Sequence, residues 1–285
     1  MQKLFTIFTP TYNRAHTLPR LYNSLKNQTN KNFIWLIVDD GSNDETKTLV
    51  QGFVNEKIIE IRYIPQANKG KHIAINNGLK NTHTEYFCVI DSDDYLAEIA
   101  IQEMQYLSDK IIDNKQIAGF TFIRFSEKIK YDENKYGKKE WISSGRIKYE
   151  WEFPGEMTFC LKTKIHQQFY FPEFEGEKFC SESLIIRRIE RRYDILATDK
   201  VLSFGDYLDD GLTKNYYQLL LKNPKASLLN IKERFQDQLS DEEKLSLAKT
   251  YWDIASKTNQ PFMKRFFGIN PFLILRVLIN KHKKE

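Results

Sequence analysis

Tyr86-Phe87-Cys88-Val89-Ile90-Asp91-Ser92-Asp93-Asp94-Tyr95-Leu96 is the stretch whose reading decides the fold. Its first five residues leave no room for a polar face, the pattern of a strand buried on both sides, and such strands belong to parallel sheets covered by helices. The run stops abruptly at three carboxylates. Groups this close repel one another unless a cation or a set of donors compensates them, so their place at the mouth of a buried strand points to a hard divalent metal. Open α/β sheets bind ligands at the carboxyl ends of their strands. The plainer reading is an acidic turn in which Asp91 caps a helix over Ala97 to Leu107.

The same pattern recurs three times upstream. Leu4 to Thr9 predicts a strand, and Pro10-Thr11-Tyr12-Asn13-Arg14 ends it, because Pro10 has no N–H for a further ladder bond. A helix follows over Leu18 to Gln28, with Leu18, Leu21 and Leu25 on one stripe. Phe33 to Val38 predicts a second buried strand, closing on Asp39-Asp40-Gly41-Ser42, and Asp44 to Val54 a helix capped by Asn43 or Asp44. Ile58 to Ile64 predicts a third strand, and Asn68-Lys69-Gly70-Lys71 a tight basic turn feeding a helix over His72 to Lys80. Four strands alternating with three helices predict a parallel, right-handed sheet.

All four predicted strand ends carry polar residues able to face one crevice. Asp40 and the Tyr12 ring suit a planar base, Lys71 or Arg14 a phosphate, and the acidic cluster a metal bridging a diphosphate. Taken singly, Asp39-Asp40-Gly41 is a strand-exit turn and Asn68 to Lys71 a solvated loop. The coincidence of four compatible strand ends is what points to a shared nucleotide-diphosphate site.

In order and spacing, Thr9-Pro10-Thr11-Tyr12-Asn13-Arg14, Val38-Asp39-Asp40-Gly41-Ser42, Asn68-Lys69-Gly70-Lys71 with Ala74, Asn76 and Gly78, and Asp91-Ser92-Asp93-Asp94 resemble the nucleotide-sugar-binding half of a family 2 glycosyltransferase of the GT-A fold. The resemblance covers residues 1–105. It implies an α/β architecture with a mostly parallel, Rossmann-like sheet flanked by helices, a nucleotide-diphosphate sugar donor, Mn2+ or Mg2+, and inversion at the anomeric carbon. Carried over by position, Pro10, Thr11, Tyr12 and Asp40 line the base and ribose, and Lys71 lies near the base or phosphates. Asp91 contacts the ribose, Arg14 and Ser92 belong to the same nucleotide-sugar site, and Asp93 ligates the metal with Asp91 or Asp94 as helpers. Uridine is the commonest base among similar enzymes.

Composition is consistent with this reading and excludes several others. The chain has 285 residues, 41% hydrophobic and 28% charged, enough for a full core without staples. A net charge of +5, from 43 basic and 38 acidic residues, is too mild to imply a nucleic-acid partner. Cys88, Cys160 and Cys180 have no metal-type spacing and suit a reducing compartment. No stretch reads as a secretory signal or reaches the roughly 18 apolar residues of a spanning helix, so a cytoplasmic location is expected.

Residues 106–213 are expected to form the acceptor side of a domain spanning 1–213. Ala118 to Phe125 predicts a strand, Lys128 to Lys139 a polar excursion, and Trp141 and Trp151 are either packing residues or sugar-stacking rings. Ser181 can cap a helix from Glu182 to Arg191, placing Glu182 at its positive end. An inverting transfer needs a base to take the proton of the acceptor hydroxyl. In the family that base stands at such a helix start, commonly in a Glu-Asp pair; here the pair is Ser181-Glu182. Glu182 is therefore the candidate base and Glu177 its rival, the alternative being a dipole-complementing Glu182 and a surface Glu177. Val201 to Tyr207 predicts a strand. The resemblance implies a loop after the base helix that can add a metal ligand, which makes Asp206, near the end of this strand, and Asp209 and Asp210 after it candidates.

Residues 214–285 read as a helical region: Tyr216 to Lys222, Lys225 to Gln236, and Asp241 to Lys257 capped by Ser240. The tail, residues 262–285, joins Phe262-Met263-Lys264-Arg265-Phe266-Phe267 and Phe272 to Ile279 to a basic end, either a terminal helix docked on the core or an interfacial helix on anionic lipid. Membrane contact would suit an acceptor that is lipid-linked, or a glycan assembled at the inner face of the membrane. Two other readings compete: an inactive nucleotide- or membrane-binding module, and a nucleotidyltransferase of similar sheet type. The second wants a Gly-rich loop after the first strand, and Thr9 to Arg14 has no Gly.

Overall fold

The computed structural model describes residues 3–126, 139–144, 155–205, 215–258 and 260–282. Its first half alternates strand and helix: β1 (Phe5–Thr11), α1 (Leu18–Lys26), β2 (Phe33–Asp39), α2 (Thr46–Glu56), β3 (Ile61–Pro65), α3 (Lys71–Lys80) and β4 (Tyr86–Val89). Then come β5 (Tyr95–Leu96), α4 (Ala100–Ile111), β6 (Ile117–Phe125), β7 (Glu140–Ser144), β8 (Gly155–Lys162), α5 (Thr163–His166), α6 (Ser183–Glu190) and β9 (Asp194–Phe204). Five helices follow: α7 (Tyr216–Lys222), α8 (Pro224–Arg234), α9 (Asp241–Lys257), α10 (Phe262–Phe267) and α11 (Pro271–His282).

The described strands form one mixed sheet in the order β3-β2-β1-β4-β8-β6-β9-β5, with β7 also paired to β9. The four sequence-predicted strands are its parallel half, β1 lying between β2 and β4. Strand β8 runs antiparallel to both β4 and β6, and this is where the sheet stops being parallel.

Every residue of β1 and β2 is buried, because side chains alternate between two covered faces. Phe5, Ile7, Phe33, Trp35 and Ile37 join Leu18, Leu21, Leu25, Val50, Phe53, Met104 and Leu107 in the main core. Tyr22 stacks on Phe53 at 4.0 Å, and Trp35 lies behind them. On the other face Phe8 stacks on Phe87 and meets Gly78 of α3. Two buried hydroxyls of β1 are paired, Thr6 with Thr84 at 2.8 Å and Thr9 with the Trp35 indole N–H at 3.0 Å.

Several boundaries differ from the sequence reading, and three of them have a plain physical reason or a large displacement. Strand β1 continues through Pro10 to Thr11, in register with Val38 and Asp39. Phe8 turns its carbonyl to β4, accepting from Ile90 N–H, and Thr11 turns its carbonyl to β2, accepting from Asp40 N–H. Backbone groups alternate in direction along a strand, so Pro10 faces β4 just beyond the end of that ladder, where no donor is required. Helix α2 begins at Thr46, and Asp44 ties the helix start to the β1–α1 loop by accepting from Thr46 N–H and Ala15 N–H, both at 3.0 Å. Burial alone would raise the Asp44 carboxyl, but these bonds hold it below its ordinary range. Strand β9 begins at Asp194, seven residues before the predicted Val201.

The chain divides into two compact units, Met1–Tyr170 with Ile185–Gly211, and Phe171–Leu184 with Leu212–Glu285. Phe171–Leu184, expected within the first domain, groups instead with the C-terminal helices. Asn223 accepts from the N–H groups of Lys178 and Phe179 at 2.7 and 3.0 Å, which accounts for the grouping. In the second unit Ser240 and Glu243 form the capping box of α9, as predicted for Ser240. Ile274 and Val277 of α11 are buried, Ile274 against Leu247, Tyr251 and Ile254 of α9.

A Cβ on Gly78 would stand 2.1 Å from the Phe8 ring, which is itself fully buried. Gly78→Ala should therefore destabilise the first unit by about 1–3 kcal/mol. Chemical denaturation reads this directly, and an unchanged midpoint would contradict the packing.

Candidate functional site

Four loops leave the carboxyl ends of β1 to β4, and hydrogen bonds stitch them together. Asn13, with φ of 53°, donates its N–H to the Ser42 hydroxyl at 2.8 Å and accepts from Asn43 N–H at 2.8 Å. Asp39 accepts from Ser42 N–H at 2.8 Å and from the Tyr63 hydroxyl. Asp40 is buried beneath the Asn68-Lys69-Gly70-Lys71 turn. It accepts from the Gln66 side chain at 2.7 Å, and from Lys69 and Gly70 N–H at 2.8 Å each. Sequence reasoning placed Asp40 against a base; the structure shows these oxygens organising the turn that carries Lys71.

That turn delivers Lys71 to Asp91, Nζ to carboxylate oxygen at 2.7 Å. The pair joins the end of β3 to the end of β4, and both side chains remain partly exposed. Asp93 is pushed above the ordinary carboxylate range, first by burial and then by the charge of Asp91, while Arg14 and Arg124 pull the other way. Pro10 and Thr11 are buried at the end of β1, and Tyr12 beyond them is 45% exposed. The Thr11 hydroxyl is buried and has no hydrogen-bond partner among the described residues. A buried hydroxyl normally finds a partner, so one arriving with a ligand is the natural completion.

Asp94 points elsewhere. Arg124 of β6 grips it with Nε at 2.8 Å from both carboxylate oxygens and Nη2 at 2.7 Å from one of them. The two side chains are 12% and 7% exposed, which makes this a buried ion pair rather than a surface one. Burial raises the Asp94 carboxyl above its usual range, and the Arg124 hydrogen bonds offset part of that rise. Gly205, at the end of β9, closes over the pair: a Cβ there would lie 2.0 Å from Asp94 Oδ1. Arg20 adds a hydrogen bond to the Asp93 carbonyl and lies over the Tyr95 ring. Ser92 is buried in the same turn.

Sequence reading missed Arg20, Arg124 and Gly205. An isolated arginine in an apolar strand, as in Ile117–Phe125, is the signal that could have found Arg124, since a buried guanidinium demands a carboxylate. Of the three acidic residues, Asp91 and Asp93 thus remain on the crevice side. Among the described residues no group of three or more His, Cys, Asp or Glu is placed to hold a metal. Two carboxylates fit Mg2+ or Mn2+ of the kind that takes its remaining ligands from substrate phosphates and water. Asp206, Asp209 and Asp210 lie outside the described residues, as do Trp151 and the polar excursion apart from Lys139.

The second unit carries both candidate bases. Glu177 accepts from Lys225 N–H at 2.7 Å and Ala226 N–H at 2.9 Å, capping the first turn of α8. Glu182 is exposed in the turn immediately before α6, whose start is one residue later than predicted. Ser181 bonds through its hydroxyl to that of Ser183 at 2.9 Å.

Comparison with known proteins follows this geometry. The description Glycosyl transferase family 2 matches residues 6–171, more than half the chain. An uncharacterized glycosyltransferase of Rickettsia felis is 34% identical over 131 residues, 45% of this chain and 21% of that protein. The GalNAc(5)-diNAcBac-PP-undecaprenol beta-1,3-glucosyltransferase of Campylobacter jejuni is 26% identical over 237 residues, 78% of this chain and 72% of that one. This chain thus spans only about a fifth of the first relative. Among solved structures, S. aureus TarS 1-349 in complex with UDP-GlcNAc superposes with a TM-score of 0.60 at 18% identity, covering 92% of this chain and 77% of that one. The mannosyltransferase PcManGT of Pyrobaculum calidifontis, in complex with GDP-Man and Mn2+, gives 0.58 at 15%, covering 100% and 81%. With its strand-end motifs inside the matched span and its sheet shared with these structures, the chain belongs to glycosyl transferase family 2 and has the GT-A fold.

Proposed function

We propose that this chain is an inverting, metal-dependent enzyme that moves a sugar from a nucleotide-diphosphate sugar, a UDP-sugar first among them, to a hydroxyl of a glycan or lipid-linked acceptor in cell-surface polysaccharide synthesis. The observation that carries the reading is the meeting of Lys71 and Asp91 at 2.7 Å from two separate strand ends, beside an Asp93 whose charge is disfavoured by burial. Such a crevice combines a cation for phosphate with a carboxylate, Asp93, short of positive charge. Support also comes from relatives and neighbours whose names include an undecaprenol-linked glycan, UDP-GlcNAc, and GDP-Man with Mn2+.

In this reading Pro10, Thr11 and Tyr12 flank the base and ribose, and the Thr11 hydroxyl bonds to the nucleotide. Asp40 lines the base and ribose with them and also holds the turn that presents Lys71, while Lys71 and Arg14 face phosphate. Asp93, with Asp91, would hold Mn2+ or Mg2+, which supplies positive charge to the departing diphosphate. Glu182 takes the proton from the acceptor hydroxyl as that oxygen attacks the anomeric carbon. Positioning of the two substrates supplies much of the rest of the rate. A peripheral seat on the cytoplasmic face of an anionic membrane belongs to the same reading.

The primary test is thermal stability with UDP, GDP or dTDP, each with Mn2+ and again with chelator. A nucleotide at about 100 times its Kd should add about 2.7 kcal/mol, and only with the metal present. Asp93→Ala should lose the metal-dependent part of the shift and all measurable transfer while unfolding as before; retention of both would remove the metal assignment. Were no nucleotide to shift the folded protein, the binding-module reading would replace this one.

For Glu182→Gln, turnover should fall by about 10²–10⁴-fold with the nucleotide-induced shift unchanged. Normal turnover in that variant would move the base to another residue.

A further inference from the structure

Helix α11 is apolar on two opposite sides, and the structure covers only one of them. Ile274 and Val277 are buried, and Leu278 packs on the same cluster. Phe272, Leu275 and Ile279 recur at i, i+3 and i+7, a single stripe of the helix, and are 74%, 42% and 54% exposed. The preceding α10 adds Phe262, Met263 and Phe267, all more than half exposed. A helix apolar all round is normally enclosed, so this second stripe calls for a second cover.

The charges say what kind. From Ile254 to Lys284 the sequence contains Lys257, Lys264, Arg265, Arg276, Lys281, Lys283 and Lys284 and no acidic residue. Lys264 and Arg276 are exposed within the same two helices, and the Arg265 guanidinium lies over the Trp252 and Phe262 rings. A two-fold contact with a second copy would set these cations against their own images with no carboxylate in the segment to pair them. The 12 residues of α11 reach about 18 Å, short of the roughly 30 Å hydrocarbon core, and no described helix is long and apolar enough to cross a membrane. Lying in the plane of a membrane interface satisfies both features at once.

We propose that α10 and α11 form a seat for an anionic lipid bilayer. Phe272, Leu275 and Ile279 enter the boundary between headgroups and acyl chains, and Lys264 and Arg276 meet headgroup phosphates. The proposal deepens the proposed function, resting on it for the membrane location but not for the physics of binding.

The test is co-sedimentation of the full chain with vesicles of phosphatidylcholine alone or mixed with phosphatidylglycerol. Binding should require the anionic lipid and weaken as salt rises. Arg276→Gln should weaken it about fivefold. The triple variant Phe272→Ser, Leu275→Ser, Ile279→Ser should abolish sedimentation while its unfolding midpoint and its nucleotide-induced shift stay those of the parent. Failure of the parent to bind anionic vesicles, or full binding by the triple variant, overturns the proposal. So does self-association of the parent in sedimentation velocity that the triple variant abolishes, because a second copy would then be the cover. The nucleotide shift is read on the same samples without lipid, so loss of the membrane seat and loss of the donor site register separately.

Discussion

Three carboxylates within four residues at the end of a buried strand are the constraint to which the first unit answers. Asp91, Asp93 and Asp94 cannot all be charged and desolvated without compensation. The fold treats each differently. Asp94 is given a complete bidentate partner in Arg124, brought across the sheet on β6 and closed by Gly205 from β9. Asp91 meets Lys71, brought from the end of β3. Asp93 receives a hydrogen bond to its carbonyl from Arg20, and its side chain stays under electrostatic pressure. A strand end neutralised in full would have no affinity for a cation, and one left bare would destabilise the sheet. Two partnered carboxylates and one under pressure lie between these extremes.

This division ties the site to the topology. Arg124 and Gly205 belong to the mixed half of the sheet, which sequence periodicity resolved poorly, whereas Lys71 and the carboxylates belong to the parallel half. The antiparallel β8 between β4 and β6 is what sets β6 at a distance from which a long guanidinium side chain reaches Asp94. Asp94 and the Arg124 that holds it thus come from different halves of one sheet.

Where the sequence was legible, local chemistry decided the structure. Phe33 to Val38 of β2 and Tyr86 to Val89 of β4 are uninterrupted apolar runs, and Ser240 with Glu243 forms a cap readable from its spacing. Where it was not, a partner distant in sequence decided. The first half of β9 carries Asp194, Thr198, Asp199 and Lys200, a composition that does not read as a buried strand. It is one because Asp199 accepts from Lys139 N–H at 2.7 Å, the Thr198 hydroxyl donates to the Lys139 carbonyl at 3.0 Å, and Lys200 pairs with Glu103 at 2.6 Å. Pro10 reads as a strand stop, yet the stop depends on which neighbour the missing N–H faces. Asp40 looks like a ligand residue by position, but its oxygens are engaged by backbone donors some 30 residues away. In each case residue type was visible and the partner was not.

The two glutamates of the second unit show the same logic at the level of role. From sequence Glu182, at a predicted helix start, is the candidate base and Glu177, five residues earlier, its rival. Hydrogen bonding separates them. Glu177 has one oxygen on Lys225 N–H and the other on Ala226 N–H, at a helix whose first residue is Pro224 and whose leading donors are otherwise unmet. Moving that carboxylate to a substrate hydroxyl would break two charge-assisted bonds and uncap α8, a cost of about 1–2 kcal/mol before any proton moved. Glu182 stands exposed in the turn ahead of α6, and the Ser181 carbonyl accepts from Leu184 N–H. A general base must reorient toward its proton, and for Glu177 that motion would carry the loss of both helix-cap bonds.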